Sequence, residues 1–309
     1  MKTYSFAYGS GTVELPLDEK NVIGELHGNA VAPLADIRAA LWASLDAPID
    51  SAPLCERARA GDTVALVVSD MTRFWMRQDL VVPHLVDYLT ERCGVREEDI
   101  TIVIANGTHI GGDEQELRTL VTDAVYDHVK VKNHDCEAKD LVYLGTTPHG
   151  TPVSIDRTAA EADLVVCLGA VTHHVMAGFG GGRKSILPGI CNAATVNENH
   201  SYKAVSNPHA AAGVLEGNPI HEDMLCAAKA VHVQFILNVA LDAQKKIIAA
   251  WAGDLEKAHA EGVKFVRSLA QCPVVEGDIV VTSNGGYPLD QNLYQSPKAV
   301  ATAEACCRE

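Results

Sequence analysis

The chain has 309 residues with 25 basic and 40 acidic side chains, a net charge of -15 and a pI near 5.3. That balance disfavours a broad nucleic-acid footprint or an anionic membrane surface, which both need a basic excess, while a local cationic cluster can still hold a small anion. With 47% hydrophobic and 21% charged residues the composition is that of a globular protein, and no apolar run reaches the roughly 18 residues of a membrane span.

Met1–Leu15 has no apolar signal-peptide core, and the nine cysteines show no paired spacing apart from Cys306–Cys307, so reduced thiols in a cytoplasmic protein are expected. In chain order, an amphipathic helix is predicted over Leu34–Leu45 and a buried strand over Thr63–Ser69. A helix follows over Leu80–Cys93, then strands over Ile100–Ala105, Val129–Asn133 and Asp163–Gly169. Asp223–Val231 reads as helix, Phe235–Leu241 as strand, Leu255–Leu269 as helix, Asp278–Ser283 as strand and Ser296–Arg308 as helix. Apolar strands alternating with amphipathic helices predict an α/β fold with parallel βαβ units, covered on both faces. A boundary near Ala270–Gly277 separates residues 1–270, a Rossmann-like cofactor-binding domain, from residues 271–309, the start of a second α/β lobe. One βα unit is too small to bury a core of its own, and its helix has no Gly or Asn stop. The chain is therefore expected to be a truncated form of a longer, two-lobed protein.

In open parallel sheets ligands sit at the carboxyl ends of strands, and four chemically unusual segments follow predicted strands there. Asp70-Met-Thr-Arg73 offers a carboxylate, a hydroxyl and a guanidinium, suited to binding an acid or to a structural Asp70–Arg73 ion pair. Asn106-Gly-Thr-His109 places a histidine at the next strand end. Gly178-Phe-Gly-Gly-Gly-Arg-Lys184 reads as a backbone cradle for an anion with a lysine cation or nucleophile, or as a hinge. It is neither a P-loop, since Arg183 stands where that pattern needs Gly, nor a dinucleotide fingerprint, which disfavours a nicotinamide dehydrogenase. Gln295-Ser-Pro-Lys298 pairs an amide with a cation, or simply starts a solvated helix with Pro in its first turn. Of thirteen histidines, His109, His174 and His200 lie in such segments and suit acid/base work or metal ligation, although no zinc spacing is present. His84, His128, His134, His149, His232 and His259 read as surface or satisfied core imidazoles.

Together these segments resemble the nickel-dependent lactate racemase family. The matching pieces are Asp70-Met-Thr-Arg73, Asn106-Gly-Thr-His109, His174 through Lys184, Leu187-Pro-Gly189, Asn197-Glu-Asn-His200, Gly217-Asn-Pro-Ile-His221 and Gly285 through Lys298. The resemblance implies a racemase or epimerase of a 2-hydroxy acid, lactate or a larger analogue. It also implies a nickel-pincer pyridinium mononucleotide held covalently by Lys184, with Asp70, Thr72, Gly180, Gly181 and Gly182 beside it and His200 as the nickel ligand. By the same resemblance His109 and His174 are the acid/base pair, and Arg73, Gln295 and Lys298 bind the substrate. The chemistry is coherent: removing hydrogen as hydride avoids a carbanion, the resulting 2-oxo acid can be reduced on either face, and two enantiomers call for two bases. The partners expected are the small hydroxy acid and the cofactor-making enzymes, with no nucleic acid, no membrane and a homodimer left open. A family member that binds the cofactor without racemase turnover is the alternative. Phe74 and Trp75 stand where the family usually has Pro after the Arg, and predict a reshaped pocket that takes a larger 2-hydroxy acid.

Overall fold

The computed structural model describes residues 1–273, 275–287, 289–290, 293 and 295–308. Its contacts divide the chain into two units, one of Val31–Arg267 and one of Met1–Ala30 with Ser268–Glu309.

The larger unit is built on a six-stranded sheet. Its order is Ile247–Gly253, Phe235–Leu241, Leu164–Ala170, Val64–Ser69, Ile100–Ala105, Lys130–Asn133. Neighbours run parallel, except that Phe235–Leu241 and Ile247–Gly253 pair antiparallel at one edge. Alternation along a strand divides the core into two layers. Leu66 and Val68 face one cluster with Leu41, Leu45, Leu85 and Leu120; Ala65 and Val67 face the other with Ile186, Ile220, Met224 and Ala258. Helices Ile37–Asp46, Val82–Asp87 and Glu114–Val121 cover the first layer, and Ala193–Asn199, Pro219–Ala230 and Lys257–Ala270 contribute to the second. Both faces are therefore covered, which is why the inner strands are nearly all apolar, while the edge strand Lys130–Asn133 alternates.

The order of strands creates a switch point. From Val64–Ser69 the chain proceeds outward through Ile100–Ala105 to Lys130–Asn133, then returns to place Leu164–Ala170 on the opposite side of Val64–Ser69. In open α/β sheets ligands are held at such a point, outside the carboxyl ends of the strands.

The smaller unit carries an antiparallel hairpin, Lys2–Tyr8 with Gly11–Leu17, and a helix over Pro297–Glu304. The main chain of Tyr287 donates to Gly9 O (2.8 Å), and the Gly9 amide donates to Asp290 Oδ2 (2.6 Å). The strand expected over Asp278–Ser283 does not form: an isolated bridge of Gly277 with Cys307 is all that precedes it, and Ile279 is 84% exposed. β-branched residues favour a pleated, half-buried surface, and without a partner strand or a covered face their propensity is not enough.

Candidate active site

Val64–Ser69 delivers Asp70 at its carboxyl end, and Ile100–Ala105 delivers Asn106. After Asp70 the chain turns into a 3₁₀ segment, Met71–Met76, in which the Arg73 amide donates to Asp70 O (2.9 Å). After Asn106 a tight turn returns the His109 amide to Asn106 O (2.9 Å), with Gly107 at φ +57°. Asn106 is buried and its side-chain amide donates to Asn133 Oδ1 and His134 O, both at 3.1 Å, which fixes the base of that turn.

These two turns bring the first pair of groups together. His109 Nδ1 lies 2.6 Å from Asp70 Oδ2. A carboxylate only accepts, so Nδ1 carries the proton and Nε2 is the nitrogen left to exchange one. Asp70 is 5% exposed and also accepts from Thr72 Oγ1 (2.9 Å), which in turn accepts from Arg73 Nη1. Guanidinium, hydroxyl, carboxylate and imidazole thus form one chain. Among the described residues Asp70 pairs with His109 rather than with Arg73, so the direct Asp70–Arg73 ion pair does not occur.

Leu164–Ala170 delivers the other pair. His173–His174 and Gly178–Phe179 form a miniature antiparallel ladder, and a 3₁₀ turn over Gly182–Ser185 presents Lys184. His174 Nδ1 accepts from the Ala177 amide (3.2 Å), and Nε2 lies 3.3 Å from Lys184 Nζ. His173 points the other way, as adjacent strand residues must, and packs on the Phe179 ring at 4.7 Å. His174 is therefore the member of the doublet that meets Lys184.

The glycines of this loop are required by packing. Gly178 has φ +73°, and a Cβ there would lie 2.2 Å from Val214 O; Gly181 has φ +82°. The Gly180 amide donates to Thr172 O (2.8 Å) and the Gly182 amide to the buried Asn238 Oδ1 (3.0 Å), so both are satisfied within the fold. The segment is also tied to the neighbouring turn, because the Gly107 amide donates to Gly189 O (2.8 Å).

His200 terminates the helix Ala193–Asn199, which Asn192 caps at its start. His200 Nδ1 donates to Val196 O (3.2 Å), which leaves the Nε2 lone pair for a ligand. Burial, and then the positive charge of Lys184, push its pKa down to about 4, so the ring is neutral at pH 7. Gln295 and Lys298 belong to the smaller unit, where Lys298 Nζ donates to Gln295 Oε1 and Gln295 is buried.

The aromatic pair after Arg73 is partly buried. Phe74 and Trp75 pack against the core layer under the Met71–Met76 turn, where bulky apolar side chains gain most from burial. Sequence reasoning also passed over the residues that hold the loops. Gln78, 1% exposed, donates through Nε2 to Ser69 O (2.6 Å), just before Asp70. Asn218 caps the helix Pro219–Ala230 and donates to Met176 O (2.9 Å); an Asn-Pro start was the available signal. Arg183 is buried against His221 and His259.

Comparison with known proteins covers the whole chain. Residues 8–213 match the model of the lactate racemase N-terminal domain, and residues 272–309 match that of the lactate racemase C-terminal domain. The lactate racemase of Thermoanaerobacterium thermosaccharolyticum is 36% identical over 312 residues, spanning 100% of this chain and 72% of that protein. The lactate racemase of Lactiplantibacillus plantarum is 36% identical over 313 residues, spanning 100% of this chain and 73% of that one. The solved lactate racemase apoprotein from T. thermosaccharolyticum superposes with a TM-score of 0.91 at 35% identity, covering 100% of this chain and 72% of that one. A protein from Thermotoga maritima shares the fold at a TM-score of 0.64 and 20% identity, covering 80% of this chain and 62% of that one. On these matches, and on the strand-end loops that carry its unusual residues, the chain belongs to the lactate racemase family.

Proposed function

We propose that this chain is a racemase of a small 2-hydroxy acid, lactate or a close analogue, acting in the cytoplasm. The observation that carries the reading is the pair of histidine devices after the two strands that flank Val64–Ser69, His109 oriented by Asp70 and His174 set against Lys184. His109 and His174 are the groups that take the hydroxyl proton from opposite enantiomers and return it. Asp70 holds the His109 ring in the Nδ1–H tautomer and stabilises it when Nε2 is protonated. Arg73 binds and orients the substrate carboxylate; Gln295 and Lys298 are assigned to the same carboxylate on family membership alone.

The residues fit a nickel-pincer pyridinium mononucleotide. Imidazole suits nickel, and His200 offers one neutral nitrogen lone pair. Among the described residues no cluster of three or more His, Cys, Asp or Glu side chains could hold a metal ion alone. A nickel ion at His200 would therefore take its other donors from an organic group, and Lys184 is the amine to tether it. When bound, that group supplies hydride acceptance and return at the substrate carbon. The loop of Gly180, Gly181 and Gly182, with Asp70 and Thr72, would flank it. Nine free cysteines suit a reducing compartment, and no helix among the described residues is long and apolar enough to cross a membrane.

The test is coexpression with the cofactor-making enzymes, followed by intact mass, bound nickel and chiral analysis of a 2-hydroxy acid panel. One nickel per chain, an adduct lost in Lys184→Ala and racemisation of at least one hydroxy acid are expected. A nickel-loaded chain that racemises none of them would overturn the reading in favour of a cofactor-binding protein.

A further inference from the structure

The turn that presents Lys184 is held from inside the protein by a buried arginine. Arg183 is 1% exposed and has no carboxylate partner among the described residues. Its Nη2 donates to Ala177 O and Phe179 O, both at 2.9 Å, and its Nη1 to Gly180 O and Gly181 O, both at 3.3 Å. Nε donates to His221 Nδ1 (2.9 Å), and Nη1 also lies 2.9 Å from His259 Nε2. All four carbonyls belong to the loop between His174 and Lys184. Both imidazoles stay neutral: burial, then the guanidinium charge, push each down to about 3. Neutral His221 accepts at Nδ1, whereas His259 Nε2 lies 2.8 Å from Gly180 O and donates to that carbonyl, which Arg183 also addresses.

A guanidinium is suited to this seat. It keeps its proton where an ammonium gives it up, and its planar fork addresses several acceptors at once. Arg183 and Lys184 are consecutive in one tight turn, so fixing the first fixes the direction of the second. Arg183 points into the interior, and the Lys184 amine emerges against His174 Nε2.

We propose that Arg183 is the positioning residue for Lys184: seated between His221 and His259, its guanidinium locks the glycine turn by four carbonyls and sets the lysine amine against His174. The inference rests on the reading of Lys184 as the tethering amine. If that reading fails, the adduct will be absent from the coexpressed protein, whereas the experiment below concerns the chain alone.

The experiment is a mutant cycle read by ¹⁵N resonances of the His174 ring in the full chain at neutral pH, with thermal unfolding as a control. Lys184→Met should displace the His174 Nε2 resonance, because the facing amine is gone. Arg183→Met should displace it in the same way, and the double variant should match either single variant, since the arginine acts only through the lysine. Arg183→Lys should not restore the wild-type signal, because a point charge cannot span four carbonyls and two imidazoles. A lowered melting temperature with the His174 signal unchanged would overturn the proposal, as would displacements that add in the double variant or a full rescue by lysine. Should Arg183→Met not fold, His221→Leu and His221→Gln separate the cases. Leucine should reproduce the displacement, and glutamine, which keeps an acceptor, should not. A wild-type signal in both would overturn the proposal.

Discussion

Acid should weaken the Val31–Arg267 unit before its carboxylates protonate, and the cause is three histidines. Burial, followed by the charge of Arg183, depresses His221 and His259 from 6.5 to about 3; burial, followed by the charge of Lys184, depresses His200 to about 4. A folded value below the unfolded one means that the unfolded chain binds more protons between the two. Stability is therefore at its full value above pH 6.5, falls as the pH drops below it, and levels off near the folded values. Each proton is worth about 1.4 kcal/mol per pH unit, so three approach a slope of about 4 kcal/mol per unit, and the loss between pH 7 and pH 5 is about 5 kcal/mol. That is a third or more of the stability of an ordinary domain, about 5–15 kcal/mol. Trp42, Trp75 and Trp251 all lie in this unit, so urea unfolding followed by tryptophan fluorescence reads it directly. The urea midpoint should fall steeply from pH 7 to pH 5, and His259→Gln should remove about a third of the slope. Equal midpoints at pH 7 and pH 5 would refute the claim that these rings are held neutral.

Four further outcomes follow from the site. Asp70→Asn removes a charge-assisted bond worth about 1.5–3 kcal/mol. It should lower turnover of the cofactor-loaded enzyme by about 10–150-fold, with the melting temperature retained; unchanged turnover would refute an orienting role. Arg73→Ala should raise the hydroxy-acid concentration for half-saturation, by a similar 1.5–3 kcal/mol in binding, as steady-state kinetics would reveal. Lys184→Ala should abolish the covalent adduct in intact mass while changing stability by only about 0.5–1 kcal/mol. Gly178→Ala combines φ +73° with a Cβ placed 2.2 Å from Val214 O. It should cost about 2 kcal/mol or more in urea unfolding.

The central sheet was legible because strands covered on both faces are apolar nearly throughout, and Val64–Ser69, Ile100–Ala105, Leu164–Ala170 and Phe235–Leu241 have that pattern without competition from helical spacing. The antiparallel edge strand Ile247–Gly253 escaped notice because it is alanine-rich. Its signal lay in the preceding turn, where Asp242 Oδ1 accepts from the amides of Gln244 and Lys246, both at 2.9 Å. The hairpin Lys2–Tyr8 with Gly11–Leu17 was announced only by Gly9 and Gly11 around its turn. Asp278–Ser283 shows the opposite error: a β-branched run satisfies propensity but needs a partner strand, which no local pattern reports.

For the candidate site, the local motifs named the residues and the packing assigned their contacts. His109 and Lys184 stand out in short strings, but the contacts of each come from residues distant in sequence. Asp70 is 39 positions from His109, and Arg183 meets His221 and His259 at separations of 38 and 76. Nothing in the local string marks Arg183 as buried; the fold turns it inward, where the carbonyls of Ala177, Phe179, Gly180 and Gly181 accept from its guanidinium. Phe74 and Trp75 also take their contacts from the fold. They follow the arginine proposed to bind the substrate, and from the 3₁₀ turn at that strand end both partly buried rings pack on the core layer beneath.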